Sequence, residues 1–281
     1  MTVAGRPHSV GPPRKFLQVK GWLVGLVLAA VVIAAGVGLW ATWDTTQTST
    51  SSPLAPAPDL LALATTSTSV ATTITTLPPC SVGDEPVEGD PRTDWARLVI
   101  DTAHSLPVDY APDDLVDATA AGFDQGDQVR EIVVPDLAAL RQAAEANGTP
   151  LVLVSGYRSY DYQRGLFEER AAQVGEAQAT AGTARPGQSE HQLGTAIDVL
   201  NPESGDLTTD FAATPAGQWV AEHAHEFGFV ISYPDAARDR TCHEFEPWHL
   251  RYVGREIAGE IHESGLSPRE WMIVAGDRRA G

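Results

Sequence analysis

One acidic residue lies in the middle of an apolar stretch that otherwise has the composition of a buried strand. Residues 195–200 read TAIDVL, and Asp198 stands between Ile197 and Val199. The stretch is rich in β-branched and apolar residues and follows Gly194, which is able to turn the chain. A carboxylate in such surroundings is costly unless a cation, a set of hydrogen bonds or a metal ion stabilises it. The fold must therefore bring a partner to Asp198.

An uncharged apolar run from Gly21 to Ala41 is the second strong constraint. A run of about 20 such residues is long enough to cross a bilayer as a helix, so we expect a transmembrane anchor over residues 21–42. A cleaved signal peptide is the alternative, but its apolar region is shorter, about 7–15 residues. Residues 1–20 form a basic tail without any acidic residue. Basic residues mark the cytoplasmic side, which predicts a single-pass membrane protein with its larger part extracytoplasmic.

Thr, Ser and Pro dominate the sequence after the apolar run, where no periodic apolar face occurs. We interpret residues 43–93 as a disordered stalk that leads to one globular domain over residues 94–281. The chain has two cysteines, Cys80 and Cys242. Outside the cell such a pair favours a disulfide, although two unrelated buried cysteines are the alternative.

The charge balance and the local patterns limit the class of the protein. Acidic residues outnumber basic ones, 37 to 19, so nucleic acid is excluded as a partner. Helical and strand-like patterns are interspersed, which predicts an α+β domain, a small and mostly antiparallel sheet with flanking helices. We expect helices at 136–147, from 159 or 160 onward, at 214–227 and, closing the domain, at 255–264.

Strands are expected at 151–154, 195–200 and 228–233, and a polar loop at 175–187. Pro247 lies inside the strand-like run 244–254, which indicates a sheet edge or a bend.

Two residues seven positions apart, His191 and Asp198, are separated by a glycine, so a turn and a strand can direct both side chains to one point. Imidazole and carboxylate belong to zinc ligand sets. His249 is the best third ligand, because Glu246 lies three residues before it and Pro247 can bend the backbone. Three protein ligands leave a fourth position for water, as in catalytic zinc sites. A hydrogen-bonded pair within a sheet is the alternative.

The same residues predict a hydrolytic mechanism. Zinc lowers the pKa of its bound water to about 7, and a carboxylate outside the coordination sphere can accept the proton. Glu246 has the position of this base. Arg158, at a strand-to-helix junction, can stabilise a developing oxyanion or a substrate carboxylate. His243 is a competing ligand, but it lacks the glutamate partner that His249 has.

Three blocks of the sequence resemble one known family. SEHQLGTAIDV, residues 189–199, resembles the S-x-H-x-x-G-x-A-x-D signature of the zinc D-alanyl-D-alanine carboxypeptidases and dipeptidases, which include the vancomycin-resistance enzymes. EPWH, residues 246–249, resembles their E-x-W-H motif, and SGYRS, residues 155–159, is similar to their third block. Three linked blocks in the right order are much more specific than one.

The resemblance implies a Hedgehog/D,D-peptidase-like zinc domain that holds one zinc ion. The implied zinc ligands are His191, Asp198 and His249. The implied catalytic residues are Glu246 as base and Arg158. The groups implied to bind the substrate near its terminal carboxylate are Arg158, Gln163 and Ser189.

The function that the resemblance implies is removal of the C-terminal D-alanine from peptidoglycan stem peptides by a membrane-anchored zinc metallocarboxypeptidase. An L,D-carboxypeptidase, a D,D-dipeptidase or a wall endopeptidase is the alternative within the family. A non-catalytic cell-wall-binding module is the alternative outside it. Glu246 argues against that module, because a closed binding site has no use for a base.

Overall fold

The structure, a computed structural model, describes residues 77–124 and 126–280. The predicted tail at 1–20, the predicted anchor at 21–42 and most of the predicted stalk lie outside the described residues. Within the described ranges, every helix falls short of the length or the apolar character that a bilayer crossing requires.

Short strands and helices alternate along the described chain. The strands are β1 Glu85–Pro86, β2 His104–Ser105, β3 Leu115–Asp117, β4 Gln128–Arg130, β5 Val152–Ser155, β6 Ala196–Leu200, β7 Phe229–Ile231 and β8 His249–Tyr252. The α-helices are α1 Val134–Ala146, α2 Tyr160–Val174, α3 Glu176–Gly182, α4 Pro215–His223, α5 Arg238–Thr241, α6 Arg255–Ser264 and α7 Pro268–Ala280.

A four-stranded antiparallel sheet forms the centre of the fold, in the order β5, β6, β8, β7. Every residue of β6 is buried, which fits its position inside the sheet. The register places Asp198 of β6 opposite Ser155 of β5 on one side and opposite His249 of β8 on the other. Directly opposed residues in antiparallel strands point to the same face of a sheet. The three side chains therefore form one row across the sheet.

Helix α1 packs against this sheet through one apolar stripe. Leu137, Leu140 and Ala144 are fully buried, at spacings that place them on one face of the helix. They join Ile197 and Val199 of β6 in the main hydrophobic core. The residues on either side of Asp198 thus anchor the strand in the core.

The packed unit extends ahead of residue 94, where the sequence analysis placed the start of the domain. Strand β1 pairs with β2, and the Gly83 amide donates to Thr102 O at 2.9 Å. Cys80 forms a disulfide with Cys242, with a Cα–Cα distance of 5.2 Å. Cys242 has a φ of 68°, in the left-handed region that favours glycine. The segment before residue 94 is therefore tied to the part of the chain that precedes β8.

The predicted α+β class, with a small antiparallel sheet and flanking helices, is confirmed. The predicted helix at 136–147 corresponds to α1, and the predicted strands at 151–154, 195–200 and 228–233 correspond to β5, β6 and β7. The predicted helix at 214–227 is α4 followed by a 3₁₀ turn, Ala224–Phe227.

The structure differs from the sequence predictions in three further places. The expected polar loop at 175–187 contains α3, whose alanine-rich sequence has high helix propensity. Pro247 marks a bend, as one of its two predicted interpretations had it, and not a sheet edge, because it lies in the turn before β8 and β8 lies between β6 and β7. The helix expected to close the domain, α6, is followed by α7, which begins with a proline at its first position.

Candidate metal centre and active-site cleft

Three side chains form a buried cluster with the chemistry of a metal site. His191, Asp198 and His249 are each at most 3% exposed, and one ligand atom from each lies within 4.8 Å of the other two. Asp198 Oδ1 is 3.1 Å from His249 Nδ1 and 3.3 Å from His191 Nε2. The partners that the buried aspartate needs are therefore two imidazoles, and the structure brings the three predicted ligands together.

Local structure explains how the chain aims His191 at the same point. His191 lies in a 3₁₀ turn, Glu190–Leu193, which ends at Gly194 with a φ of 71°. This φ favours glycine, and a Cβ at Gly194 would also lie within 3.0 Å of side-chain atoms of Arg130 and Leu115, closer than ordinary contact. The chain then enters β6, which carries Asp198 to its position opposite His249.

The outward nitrogen of each histidine has an acceptor, which fixes the inward nitrogen as the metal-facing atom. His191 Nδ1 donates to Gly156 O at 2.7 Å, and His249 Nε2 donates to Glu190 Oε2 at 2.9 Å. Metal-bound histidines usually make such contacts. Burial lowers the pKa of His191 to about 4, which keeps its ring neutral as a ligand must be. The donor set therefore fits one zinc ion with three protein ligands.

Arg158 connects the cluster to β5. Its Nε donates to Ser155 Oγ at 2.8 Å, and its Nη2 forms an ion pair with Asp198 Oδ2. Burial opposes the ionisation of Asp198, but the two ligand histidines and Arg158 outweigh it and hold the pKa of this carboxyl well below its usual range. Asp198 is thus an anion with one oxygen toward the histidines and the other toward Arg158.

Glu246 lies beside the cluster without belonging to it. Its Oε2 is 4.0 Å from His249 Nδ1, and its side chain is 18% exposed. Burial raises the pKa of the Glu246 carboxyl to about 7. A carboxyl with such a pKa can accept and return a proton near neutral pH.

A cleft of about 450 Å³ contains this centre. The three ligands, Glu246 and Arg158 form one part of its wall. Gln163 and Ser189, the other groups predicted to bind substrate, line the same cleft and are almost fully buried. The Gln163 side chain donates from Nε2 to Ala184 O at 2.8 Å, which fixes its orientation. All the residues predicted to carry chemistry therefore face one cavity.

His243 lines the same cleft but is not one of the grouped ligands. Its ring packs against Tyr233 with ring centroids 4.5 Å apart, and Tyr233 in turn stacks on His249 at 4.9 Å. The alternative of His243 as a ligand is therefore not supported by the geometry.

Sequence reasoning missed Glu190, which lies next to His191 and contacts His249 from behind. The available signal was the position of Glu190, an acidic residue directly before a predicted ligand and shortly before the strand-like run 195–200. It could not reveal the partner, because His249 is 59 residues away along the chain.

Comparisons with known sequences agree with this geometry. The family model VanY, described as D-alanyl-D-alanine carboxypeptidase, matches residues 126–255, a range that contains the three ligands. The Bacillus subtilis protein YodJ, named as a carboxypeptidase, is 38% identical over 179 residues, 62% of this chain and 66% of that protein. A D-alanyl-D-alanine carboxypeptidase of Enterococcus faecalis is 30% identical over 194 residues, 66% of this chain and 68% of that protein. The chain thus spans about two thirds of the length of these relatives.

Two solved structures have the same fold at higher coverage of their own chains. The LdcB LD-carboxypeptidase is 38% identical with a TM-score of 0.57, covering 60% of this chain and 81% of its own. A mutant of the vancomycin-resistance D,D-pentapeptidase VanY, in complex with Zn(II), is 29% identical with a TM-score of 0.55, covering 63% of this chain and 99% of its own. The described fold, the grouped ligands and these matches together show that the chain belongs to the VanY family of D-alanyl-D-alanine carboxypeptidases.

Proposed function

We propose that this protein is a zinc-dependent carboxypeptidase that removes the C-terminal D-alanine from peptidoglycan stem peptides. The observation that carries the proposal is the buried group of His191, Asp198 and His249 with Glu246 next to it in a cleft. A set of three ligands with a free base beside it is the arrangement of a hydrolytic zinc site. The substrate class follows from the family, whose described activity is that of a D-alanyl-D-alanine carboxypeptidase.

The side chains divide the reaction between them. When bound, a zinc ion supplies Lewis acidity, which polarises a carbonyl and lowers the pKa of water. Glu246 takes a proton from the attacking water on a carboxylate oxygen and returns it to the nitrogen of the leaving amine. Arg158, whose guanidinium is held by Ser155 and Asp198, presents its remaining N–H groups to the developing oxyanion or to the terminal carboxylate.

Gln163 and Ser189 orient the end of the substrate. Both residues are buried in the cleft wall. The terminal carboxylate of a substrate bound there would be removed from water, and its hydrogen bonds would be stronger because the local dielectric constant is low. A peptide that has an additional residue beyond this point has no free carboxylate at the same place. The proposed pocket therefore selects a chain end, as a carboxypeptidase must.

The proposed location is the outer face of the cell membrane. The uncharged run at 21–42, the basic tail at 1–20 and the Thr/Ser/Pro-rich segment support a single-pass anchor with the catalytic domain extracytoplasmic. A disulfide between Cys80 and Cys242 agrees with an oxidising compartment. A wall substrate needs an enzyme with reach beyond the membrane, which the predicted stalk supplies.

An L,D-carboxypeptidase activity is the second candidate. It is favoured by the 38% identity to the LdcB LD-carboxypeptidase, a higher value than that to the D,D-pentapeptidase. The two activities differ in the stem peptide that is shortened, a pentapeptide for the D,D enzyme and a tetrapeptide for the L,D enzyme.

The test is product analysis on defined stem peptides. The purified full-length chain is incubated with pentapeptide and with tetrapeptide, and the products are weighed by mass spectrometry, with and without chelator. Zinc-dependent loss of one D-alanine from the pentapeptide supports the proposal, and loss from the tetrapeptide alone supports the second candidate. Binding of either peptide without cleavage by the zinc-loaded chain excludes both.

A further inference from the structure

Glu190 is a buried acidic residue that the proposed reaction does not use. Its side chain is 5% exposed and does not line the cleft that contains the candidate ligands. One carboxylate oxygen, Oε2, accepts hydrogen bonds from His249 Nε2 at 2.9 Å and Ser232 Oγ at 2.6 Å. The other, Oε1, accepts from Arg251 Nη1 at 2.7 Å. Both oxygens are therefore satisfied by buried donors.

The contact with Glu190 keeps a proton on Nε2 of His249. A carboxylate only accepts hydrogen bonds, so the proton of a neutral His249 is held on Nε2. Nδ1, which lies 3.1 Å from Asp198 Oδ1, is then the ring nitrogen left to bind an ion. The same contact restricts rotation of the ring, because a second donor, Ser232, holds the oxygen in place.

Arg251 holds Glu190 and is itself anchored in the backbone. Arg251 is 1% exposed, and its Nη2 donates to Trp95 O at 2.8 Å and Leu98 O at 2.9 Å. These two carbonyls lie outside residues 126–255, the range that the family model matches. A continuous set of contacts therefore joins His249 to the segment that precedes the matched range.

An ion pair for stability alone does not account for this arrangement. Pairing of a buried glutamate with a buried arginine often contributes little net stability, because both charges lose their hydration. Here Arg251 occupies one oxygen of Glu190 and leaves the second oxygen to His249 and Ser232. Because the two oxygens of Glu190 have different partners, the carboxylate is suited to orient the ring of His249.

We propose that Glu190 is a positioning residue for the metal centre: its carboxylate sets the tautomer and the orientation of His249, and Arg251 fixes that carboxylate to the backbone at Trp95 and Leu98. The proposal deepens the proposed function and rests on it for the identity of the metal. Loss of such a partner to a metal-bound histidine typically lowers metal affinity by roughly 10–100-fold.

Zinc affinity, measured by chelator competition on the full-length chain, is the direct test. Glu190→Gln keeps the size of the side chain and removes its charge, and we expect zinc affinity to fall by roughly 10–100-fold. Glu244→Gln is the control, because it makes the same change at a half-exposed glutamate that pairs with Arg238 and does not contact the ligands. We expect its zinc affinity to equal that of the unchanged protein.

Glu190→Gln also leaves the Arg251 charge without its carboxylate, so a second variant separates positioning from folding. The pair Glu190→Gln and Arg251→Gln removes both charges, and thermal unfolding of the metal-free proteins measures the stability of each variant. A folded double variant with weakened zinc binding and an altered visible spectrum of its cobalt form supports the proposal. Unchanged zinc affinity and an unchanged cobalt spectrum in both folded variants overturn it.

Failure of this inference is distinguishable from failure of the proposed function. If the unchanged protein binds zinc and cleaves stem peptides while the Glu190 variants bind zinc equally well, only the positioning role is lost. If the unchanged protein binds zinc with no cleavage of either peptide, the proposed function is lost, and the affinities still decide the role of Glu190.

Discussion

Glu246 Oε2 lies 4.0 Å from Nδ1 of His249, the atom that faces Asp198, and Pro247 and Trp248 separate the two residues in the chain. The turn before β8 therefore brings the candidate ligand His249 and the proposed base Glu246 to the same point. Glu246 is close enough to exchange a proton there, yet it remains outside the group of three candidate ligands.

This relationship predicts separate effects of Glu246 on turnover and on metal content. Glu246→Gln keeps the side-chain shape and removes the base, so kcat is expected to fall by roughly 10²–10⁴-fold while zinc content is unchanged. Stem-peptide cleavage and metal analysis of the same sample measure the two quantities. Glu244→Gln is the control, since Glu244 is half-exposed and pairs with Arg238. Cleavage by the Glu246 variant at the unchanged rate would contradict the assignment of the base.

Removal of one ligand should remove the metal. Asp198→Asn replaces the anionic ligand with a neutral amide, and we expect zinc content after dialysis to fall to a small fraction of one equivalent, with loss of cleavage. Chelation of the unchanged protein should give the same loss, reversed by added zinc. Asp206→Asn, at an exposed position, is the control. Full zinc content in the Asp198 variant would show that the ligand set is different.

Arg158 should resist replacement by lysine, although the charge is kept. Its guanidinium contacts Ser155 and Asp198 simultaneously through separate nitrogens, which one ammonium group does not reproduce. We expect kcat/KM of Arg158→Lys to fall by about 10–100-fold, on the order of the 1.5–3 kcal/mol of a charged hydrogen bond. Arg164→Lys, a change at an exposed ion pair, should have almost no effect. Equal kcat/KM for both variants would contradict the role given to Arg158.

The disulfide should contribute to stability, and the conformation of Cys242 allows a matched comparison. Loss of the bond in a Cys80→Ala and Cys242→Ala double variant is expected to lower the free energy of unfolding by roughly 2–5 kcal/mol. With glycine instead of alanine at position 242, about 1 kcal/mol should be regained, because Cys242 has a positive φ. Denaturant unfolding of the two double variants measures the difference. Equal stability would show that the turn relaxes once the bond is absent.

Acid should destabilise the protein in part through Asp101. Burial raises the pKa of this carboxyl, but the Ala103 amide, Arg269 and His104 lower it by more. A folded-state pKa below the unfolded value of about 3.9 gives stability that is present above that pH and is lost as the pH falls below it. Asp101→Asn should therefore show a weaker loss of unfolding free energy between about pH 4 and pH 2 than the unchanged protein. If the unfolding free energy of this variant falls as steeply with pH as that of the unchanged protein, the acid sensitivity belongs to other carboxyls. Asp206→Asn is the control.

The candidate ligands and the proposed base were predictable because they carry local signals. Asp198 is an acid in an apolar strand, and Glu246 precedes a proline and a histidine at close spacing. Asp198 faces His249 because β6 pairs with β8, and these strands are far apart in the chain. A metal site formed by both residues implied that they would be close together. The spacing of the residues therefore suggested a metal site, and the resemblance of three linked blocks to one family indicated its ligands.

The contacts behind the ligands were not predictable in the same way. Glu190 is bonded to Ser232 and Arg251, which lie 42 and 61 residues further along the chain. No short motif contains such a set, and each residue alone resembles an ordinary polar residue. Helix α3 was missed for a related reason, because its short length and glycine-bounded ends resemble a loop in composition.

The opposition of Asp198 and His249 across β6 and β8 has a consequence for how the sheet assembles. A slip of one residue between these strands would turn His249 to the reverse face and separate the donors. A divalent ion bound by both residues would therefore favour a single alignment of the two strands, and we expect slower amide hydrogen exchange in β6 and β8 when the ion is added. If the proposed ion binds here, it would hold β6 and β8 in register in addition to its part in the reaction.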